Sequence, residues 1–291
     1  MVDRPTTPPK KIMLATDLSG RGDRALDRAT GLANDWDAEL VIVHALDDSL
    51  IGGGPHLPSW RRPPELAGMV EQQVRDDIRG PCPRLRFHIE DGSPLKVILD
   101  AAQREQPDLL VVAMGRAGLV GGLSRTVDEL FRQSPSTMLV VKKRPNGPYR
   151  HMLVGADYTA EARAGLEVAT RLFPSAAAVV MHAYDMPYRN LYLDPSLAER
   201  FGGVEQETMS AWLAEADLTD EARTRTTSLI EHGAPEIMLG AYAREQGADL
   251  TVIGAYERGR LFHMVVRGHG PRIVQAVPSD VLVVRASPPS D

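Results

Sequence analysis

The 291-residue chain holds a single cysteine, Cys82. One thiol cannot close an intrachain disulfide, so a disulfide-stapled secreted scaffold is excluded and a reducing compartment fits better. No stretch approaches the roughly 20 consecutive apolar residues of a membrane-spanning helix. The opening residues, MVDRPTTPPKK, are polar and proline-rich where a secretory leader carries an apolar core. The expectation is a cytoplasmic protein with no membrane partner. Positive charge is short as well: 33 Lys and Arg against 39 Asp and Glu leave a net charge of -6. A broad phosphate-binding face needs the opposite balance, so no nucleic-acid partner is expected. Nucleophile elbow, zinc motif and Walker loop are all missing. Cys82 lies between two prolines without an evident base, and His263 and His269 have no neighbouring Cys or carboxylate at metal-ligand spacing. No catalytic residue and no metal ligand is therefore assigned.

What is present is a core-forming composition, and it comes twice. The chain is 43% hydrophobic and 25% charged, ordinary for a globular protein, and its length suits two domains. IMLATDLSGRGDRALDRATGLA aligns with MLVGADYTAEARAGLEVATRLF, pairing Asp17 with Asp157 and Leu26 with Leu166. ELVIVHALD aligns with AVVMHAYD, pairing His44 with His182 and Ala45 with Ala183. DGSPLKVILDAAQREQPDLLVV aligns with HGAPEIMLGAYAREQGADLTVI, pairing Gly92 with Gly233, Pro94 with Pro235 and Asp108 with Asp249. SPSTMLVVKK aligns with VPSDVLVVRA. Four landmarks in the same order at nearly constant offset make one domain used twice. The boundaries are 1–145 and 149–291, joined by the basic stretch KKRPNGPYR, which reads as a solvated linker.

In the first copy KIMLATD, ELVIVHAL, RLRFHIE, DLLVVA and TMLVVKK read as strands, and RGDRALDRATGLAND and PLKVILDAAQREQ as amphipathic helices. Val97, Ile98, Ala101 and Ala102 form the apolar stripe of the latter, and Pro94 opens it, where a missing N–H costs nothing. Strands apolar on both faces and joined through helices imply a parallel sheet covered on both sides, with right-handed connections.

The ordered set of landmarks resembles the universal stress protein family, twice over and across nearly the whole chain. The resemblance implies an α/β fold of two flavodoxin-like (Rossmann-like) domains, each a five-stranded parallel sheet of order 3-2-1-4-5 with helices on both faces. It implies that the fifth strands, near Leu139 to Lys142 and Leu282 to Arg285, meet so that each domain is the other's partner in a pseudo-dimer; it also leaves room for a homodimer. It implies a stress-response regulator, not an enzyme beyond very slow ATP hydrolysis, holding ATP with magnesium in the crevice where strand order reverses. A scaffold without nucleotide, acting through protein–protein contacts, stands as the alternative.

The family's nucleotide pattern is Gly, two residues, Gly, nine residues, then Gly and Ser or Thr. Strict register places Ala113 at the first glycine of the first copy; a shift of two residues recovers Gly115 and Gly118 within MGRAGLVGGLSRT. Ser124 and Arg125 then fall at the closing Gly-Ser, with Thr126 next, and the segment is two residues shorter than in the second copy. By resemblance the first-domain site is Asp17, Ala45, Gly115, Gly118, Ser124 and Thr126. The second-domain candidates are Asp157, Ala183, Gly254 and Gly268, with Glu257 at the second glycine and Arg267 at the third. If one copy alone holds ATP, the first is expected, because Glu257 brings negative charge to a phosphate nest. Asp17 and Asp157 also suit a plain capping role after a strand, and His44 and His182 suit hydrogen-bonded strand-end histidines. Tyr184, Tyr188 and Tyr192 cluster after the second strand of the second copy and read as packing, with a lid or an interface as the other reading.

Overall fold

A computed structural model describes residues 8–46, 66–81, 83–115, 124–184, 195–256 and 269–286. The chain divides into two compact units, Pro8–Asn146 and Gly147–Asp291. The first runs β1 (Lys11–Ala15), α1 (Gly22–Trp36), β2 (Glu39–Leu46), α2 (Leu66–Asp77), β3 (Arg84–Asp91), α3 (Pro94–Glu105), β4 (Leu109–Ala113), α4 (Arg125–Gln133) and β5 (Met138–Val141). All its strand pairs are parallel, in the order β3-β2-β1-β4-β5. The second runs β6 (His151–Ala156), α5 (Ala160–Leu172), β7 (Ala177–Tyr184), α6 (Pro195–Ala214), α7 (Asp220–Thr224), β8 (Thr226–His232), α8 (Pro235–Glu245), β9 (Leu250–Tyr256), α9 (Gly270–Ala276) and β10 (Asp280–Ala286). Its parallel order β8-β7-β6-β9-β10 is the same topology strand for strand. Both units are therefore the expected 3-2-1-4-5 fold. Among the described residues no helix is long and apolar enough to cross a membrane.

Burial explains why these runs are strands. Ile12, Met13, Leu14, Leu40 and Ile42 have no exposed surface, so successive residues are covered on both faces of the sheet. Each such side chain contributes about 1.5–3 kcal/mol relative to exposure. Right-handed crossovers put α1 and α2 on one face and α3 and α4 on the other, because the chain steps outward from β1 to β3 and then returns past β1 to β4. On α3 the buried residues are Val97, Ile98, Ala101 and Ala102, the stripe that its spacing predicts.

The repeated landmarks turn out to be joints. Gly92 and Gly233 have φ of 142° and 144°, a left-handed backbone that disfavours any side chain. Each then leads into a helix with Pro94 or Pro235 in its first turn. Asp108 Oδ2 accepts the backbone N–H groups of Lys10 and Lys11 at 2.8 and 2.9 Å. Asp249 accepts those of Arg150 and His151 at 3.0 and 2.8 Å. One carboxylate per unit thus pins the start of the unit's first strand beside its fourth. The linker reading needs one correction. Most of 142–150 is exposed, but Tyr149 is buried, donates to Asp280 Oδ2 at 2.7 Å and meets the Phe173 ring edge-on at 4.9 Å. A ring of this size gains more from the core than from water.

Candidate functional site

In the first unit a cavity of about 420 Å³ opens at the carboxyl ends of β1, β2 and β4, where strand order reverses. That is within the usual size range of a small-molecule pocket, about 300–1,000 Å³. Its floor is apolar, with Val43, Ile98, Val112 and Leu130; its rim is polar, with Thr16, Asp17, Arg21, Ser124 and Thr126.

The turn after β1 is tightly built. Asp17 Oδ1 accepts the backbone N–H of Ser19 at 3.0 Å and its hydroxyl at 2.6 Å, an Asx turn. Between them Leu18 is forced to a left-handed φ of 55°, and its N–H donates to Thr16 Oγ1 at 3.1 Å. Gly22 lets α1 start hard against this turn: a Cβ there would lie 2.8 Å from Thr16 Oγ1 and 3.0 Å from Asp17 Oδ1. Among the described residues Asp17 Oδ2 makes no hydrogen bond, and it stays available at the rim. His44 Nδ1 lies 2.9 Å from the carbonyl oxygen of Thr16, so this ring nitrogen carries the proton and ties β2 to the turn.

At the other side Ser124 is the N-cap of α4, its hydroxyl accepting the Val127 N–H at 3.4 Å. The amides of Arg125 and Thr126 lie in the first turn and have no partner within the helix. Gly115 has a packing reason for being glycine: a Cβ there would lie 2.6 Å from Ser124 Cβ and 2.7 Å from its Oγ. Five of the six residues assigned from the sequence thus line one cavity: Asp17, Ala45, Gly115, Ser124 and Thr126. Gly118 lies outside the described residues, as do Gly121 and Gly122. Arg21 is the rim residue that sequence reading passed over. Its only signal there is its place four residues after Asp17.

Among the described residues the equivalent crevice of the second unit is nearly closed, at about 40 Å³, with Asp157, Ala183 and Gly254 in its wall. A void of that size suits a water or so, not a nucleotide. The cause is local. A Cβ on Gly254 would sit 2.2 Å from the carbonyl oxygen of Glu161 and 2.6 Å from the N of Ala162, so the start of α5 presses directly on the end of β9. At the matching position the first unit has Ala113. Met181 stands where Val43 does and adds bulk. The glycine that the sequence suggests for phosphate is thus packed against a helix backbone. Gly268, Glu257 and Arg267 lie outside the described residues, as do Cys82, His263, Tyr188 and Tyr192.

Beside the start of α9, His269 Nδ1 and Glu236 Oε2 are 2.5 Å apart and Arg272 lies 3.6 Å from the same carboxylate. Burial pushes the Glu236 carboxyl up. A backbone N–H, the His269 hydrogen bond and the His269 and Arg272 charges outweigh burial and hold it below its ordinary value. His269 occupies the position that Thr126 has in the first unit, so an imidazole paired with the Glu236 carboxylate stands where the first unit offers a hydroxyl.

On the α5 side of the second sheet lies a row of rings absent from the first. Asp157 again accepts from residue i+2, here the Thr159 N–H at 3.2 Å and its hydroxyl at 2.5 Å, and Tyr158 takes the left-handed φ of 63°. The Tyr158 ring stacks on His182 at 4.2 Å; Tyr184 follows at 5.6 Å and His232 at a further 4.2 Å. The Tyr158 hydroxyl donates to Glu205 Oε2 at 3.0 Å, and burial, then this carboxylate, pushes its ionisation well up. His182 Nδ1 lies 2.8 Å from the Ala156 carbonyl oxygen, as His44 does in the first unit. Tyr184 is therefore a packing residue. The matching positions of the first unit are Leu18, His44, Leu46 and Asp91.

Comparison with known proteins agrees with this duplicated architecture. The universal stress protein family model matches residues 8–142 and again 148–285. A universal stress protein of Mycolicibacterium smegmatis is 24% identical over 305 residues, covering 94% of this chain and 96% of that one. One from Methanocaldococcus jannaschii is 29% identical over 140 residues, 46% of this chain and 82% of its own. Among solved structures, a universal stress protein of Archaeoglobus fulgidus superposes with a TM-score of 0.62 at 16% identity, over 95% of this chain and 98% of that one. Two matches to one family, end to end, settle the relationship: the chain belongs to the universal stress protein family and carries two of its domains in tandem.

Proposed function

We propose that this universal stress protein is a nucleotide-responsive regulator that holds one ATP, with its magnesium, in the crevice of the first unit. The observation that carries the reading is the contrast in volume, about 420 Å³ against about 40 Å³, between two crevices of the same topology. The residues of the larger one fit the ligand. Asp17 offers a free carboxylate oxygen for ribose or base hydroxyl and amine donors. The apolar floor of Val43, Ala45, Ile98 and Val112 suits a planar base. Ser124, Thr126 and the first-turn amides of α4 suit phosphate oxygens, aided by the positive end of the helix. These groups bind and orient; the reading is of a binding protein acting from a cytoplasmic setting, not of a catalyst. A closed second crevice gives the second unit a structural task, so the scaffold role belongs to that half.

Calorimetric titration of ATP into the full chain tests this. One site per chain is expected. Ser124→Asp keeps a good N-cap but points a second negative charge at the phosphates, and it should weaken ATP at least tenfold, about 1.4 kcal/mol. Two equivalent sites, or no heat with the wild-type chain, would overturn the reading.

A further inference from the structure

Arg21 is the one cation among the described residues that line the first-unit cavity. It sits four residues after Asp17, immediately before the first residue of α1. Its side chain is exposed and forms no hydrogen bond or ion pair among the described residues. The neighbouring arginines behave otherwise: Arg24 donates to the Lys142 carbonyl oxygen at 2.8 Å, and Arg28 is buried. Nor is Arg21 needed to start α1. Ser19 already supplies the first turn, its hydroxyl accepting the Gly22 N–H at 3.3 Å and its carbonyl oxygen the Asp23 N–H at 3.0 Å. The α1 terminus therefore has little left to offer an anion, and the guanidinium is the group free to do so.

The second unit supplies a natural control. The residue matching Arg21 is Glu161, of opposite charge, buried, with its carbonyl oxygen against Gly254. The unit that keeps its crevice open carries a free cation at this position. The unit whose crevice is filled carries an acid.

We infer that Arg21 is the phosphate-reading residue of the first-unit site, which makes that site selective for nucleotides of high negative charge over nucleosides. This rests on the nucleotide reading above. A guanidinium presents paired N–H donors that match phosphate oxygens and stays charged at all working pH values. Its attraction grows with the number of phosphates and is screened by salt. A neutral nucleoside gains nothing from it.

The test titrates ATP, AMP and adenosine into the full wild-type chain, Arg21→Glu and Arg21→Lys, at low and high salt. For Arg21→Glu we expect ATP to weaken at least tenfold, AMP less, and adenosine to bind as to wild type. Arg21→Lys should retain most of the ATP affinity, and the wild-type preference for ATP over adenosine should shrink in high salt. Equal ATP affinities for wild type and Arg21→Glu would overturn the assignment while leaving the nucleotide site standing. An equal loss of ATP and adenosine would overturn it too, since the residue would then support the pocket rather than read charge. If wild type binds none of the three, the nucleotide reading itself falls and this assignment with it.

Discussion

The end of β4 and the end of β9 occupy the same place in the same fold, and one has Ala113 where the other has Gly254. The alanine lines an open cavity. The glycine lets the α5 backbone come to within touching distance and the room disappears. Loss of a methyl, rather than gain of a bulky side chain, closes the second crevice most directly. Glycines near such a crevice are thus ambiguous signs. They can expose amides to an anion, or they can invite a neighbouring helix to take the ligand's place. A shared fold therefore does not imply a shared site.

Exchange of these residues breaks the comparison most sharply. Gly254→Ala sets a methyl against the Glu161 carbonyl and should cost about 3 kcal/mol or more in chemical denaturation, since backbone cannot step aside as a side chain can. Ala113→Gly should cost about 1 kcal/mol, from chain entropy and lost packing. Similar losses for the two would show that the close approach in the second unit is soft.

The aromatic row offers the next contrast. Tyr158→Leu, which installs the residue of the first unit, removes the hydroxyl–Glu205 bond and a stacked ring, and about 1 kcal/mol of stability should go with them. The same tyrosine makes a pH prediction. Its ionisation is raised in the folded chain, so its contribution is complete below the ordinary tyrosine value, about 10, and fades as pH climbs above it. Ultraviolet titration of Tyr158→Phe against wild type should remove a tyrosine that ionises well above the ordinary value; loss of an ordinary one instead would refute the burial argument.

The smallest effect lies in the first unit. Glu105 accepts from Lys11 Nζ at 2.9 Å, lies 2.8 Å from His88 Nε2 and faces Arg86 at 3.2 Å. The Lys11 hydrogen bond is the main cause, opposed by burial and helped by His88 and Arg86, and the carboxyl falls to about 2. A depressed carboxyl stabilises above its ordinary value near 4.5 and loses that contribution as pH falls toward 2. Urea midpoints of Glu105→Gln and wild type should differ at pH 7 and converge on acidification. A gap that stays constant with pH would refute the ionic origin.

The fold was legible because its markers are local. Gly92, Gly233, Pro94, Pro235, Asp108 and Asp249 each serve a joint within a few residues or one strand pair, and such constraints show in sequence as repeated letters. The candidate site was legible in part for the same reason: Asp17 and Ser124 cap elements, and capping follows short rules. The fate of the second crevice was not. Glu257, the residue expected to repel a ligand there, lies outside the described residues; among those described, Glu236 carries the carboxylate and Gly254 the contact that fills the space. Both depend on partners, His269 and Glu161, that only folding brings near. Arg21 escaped notice because an exposed arginine looks ordinary until a cavity is seen beside it.

The ionic cluster around Glu105 bears on how a duplicated chain avoids confusing its halves. During synthesis the first five strands leave the ribosome before the second five exist, and any exchange between equivalent strands of the two copies would be a kinetic trap. Lys11 pairs across the sheet with Glu39, where the second unit has His151 opposite Ala177. Arg86 reaches both Glu39 and Glu105, and the positions matching Arg86 and His88 hold Thr227 and Leu229. A β1 strand misplaced beside β7 would strand its lysine without an acid. The charges at the lower edge of the first sheet thus work as an address label, telling each strand which copy it was born in.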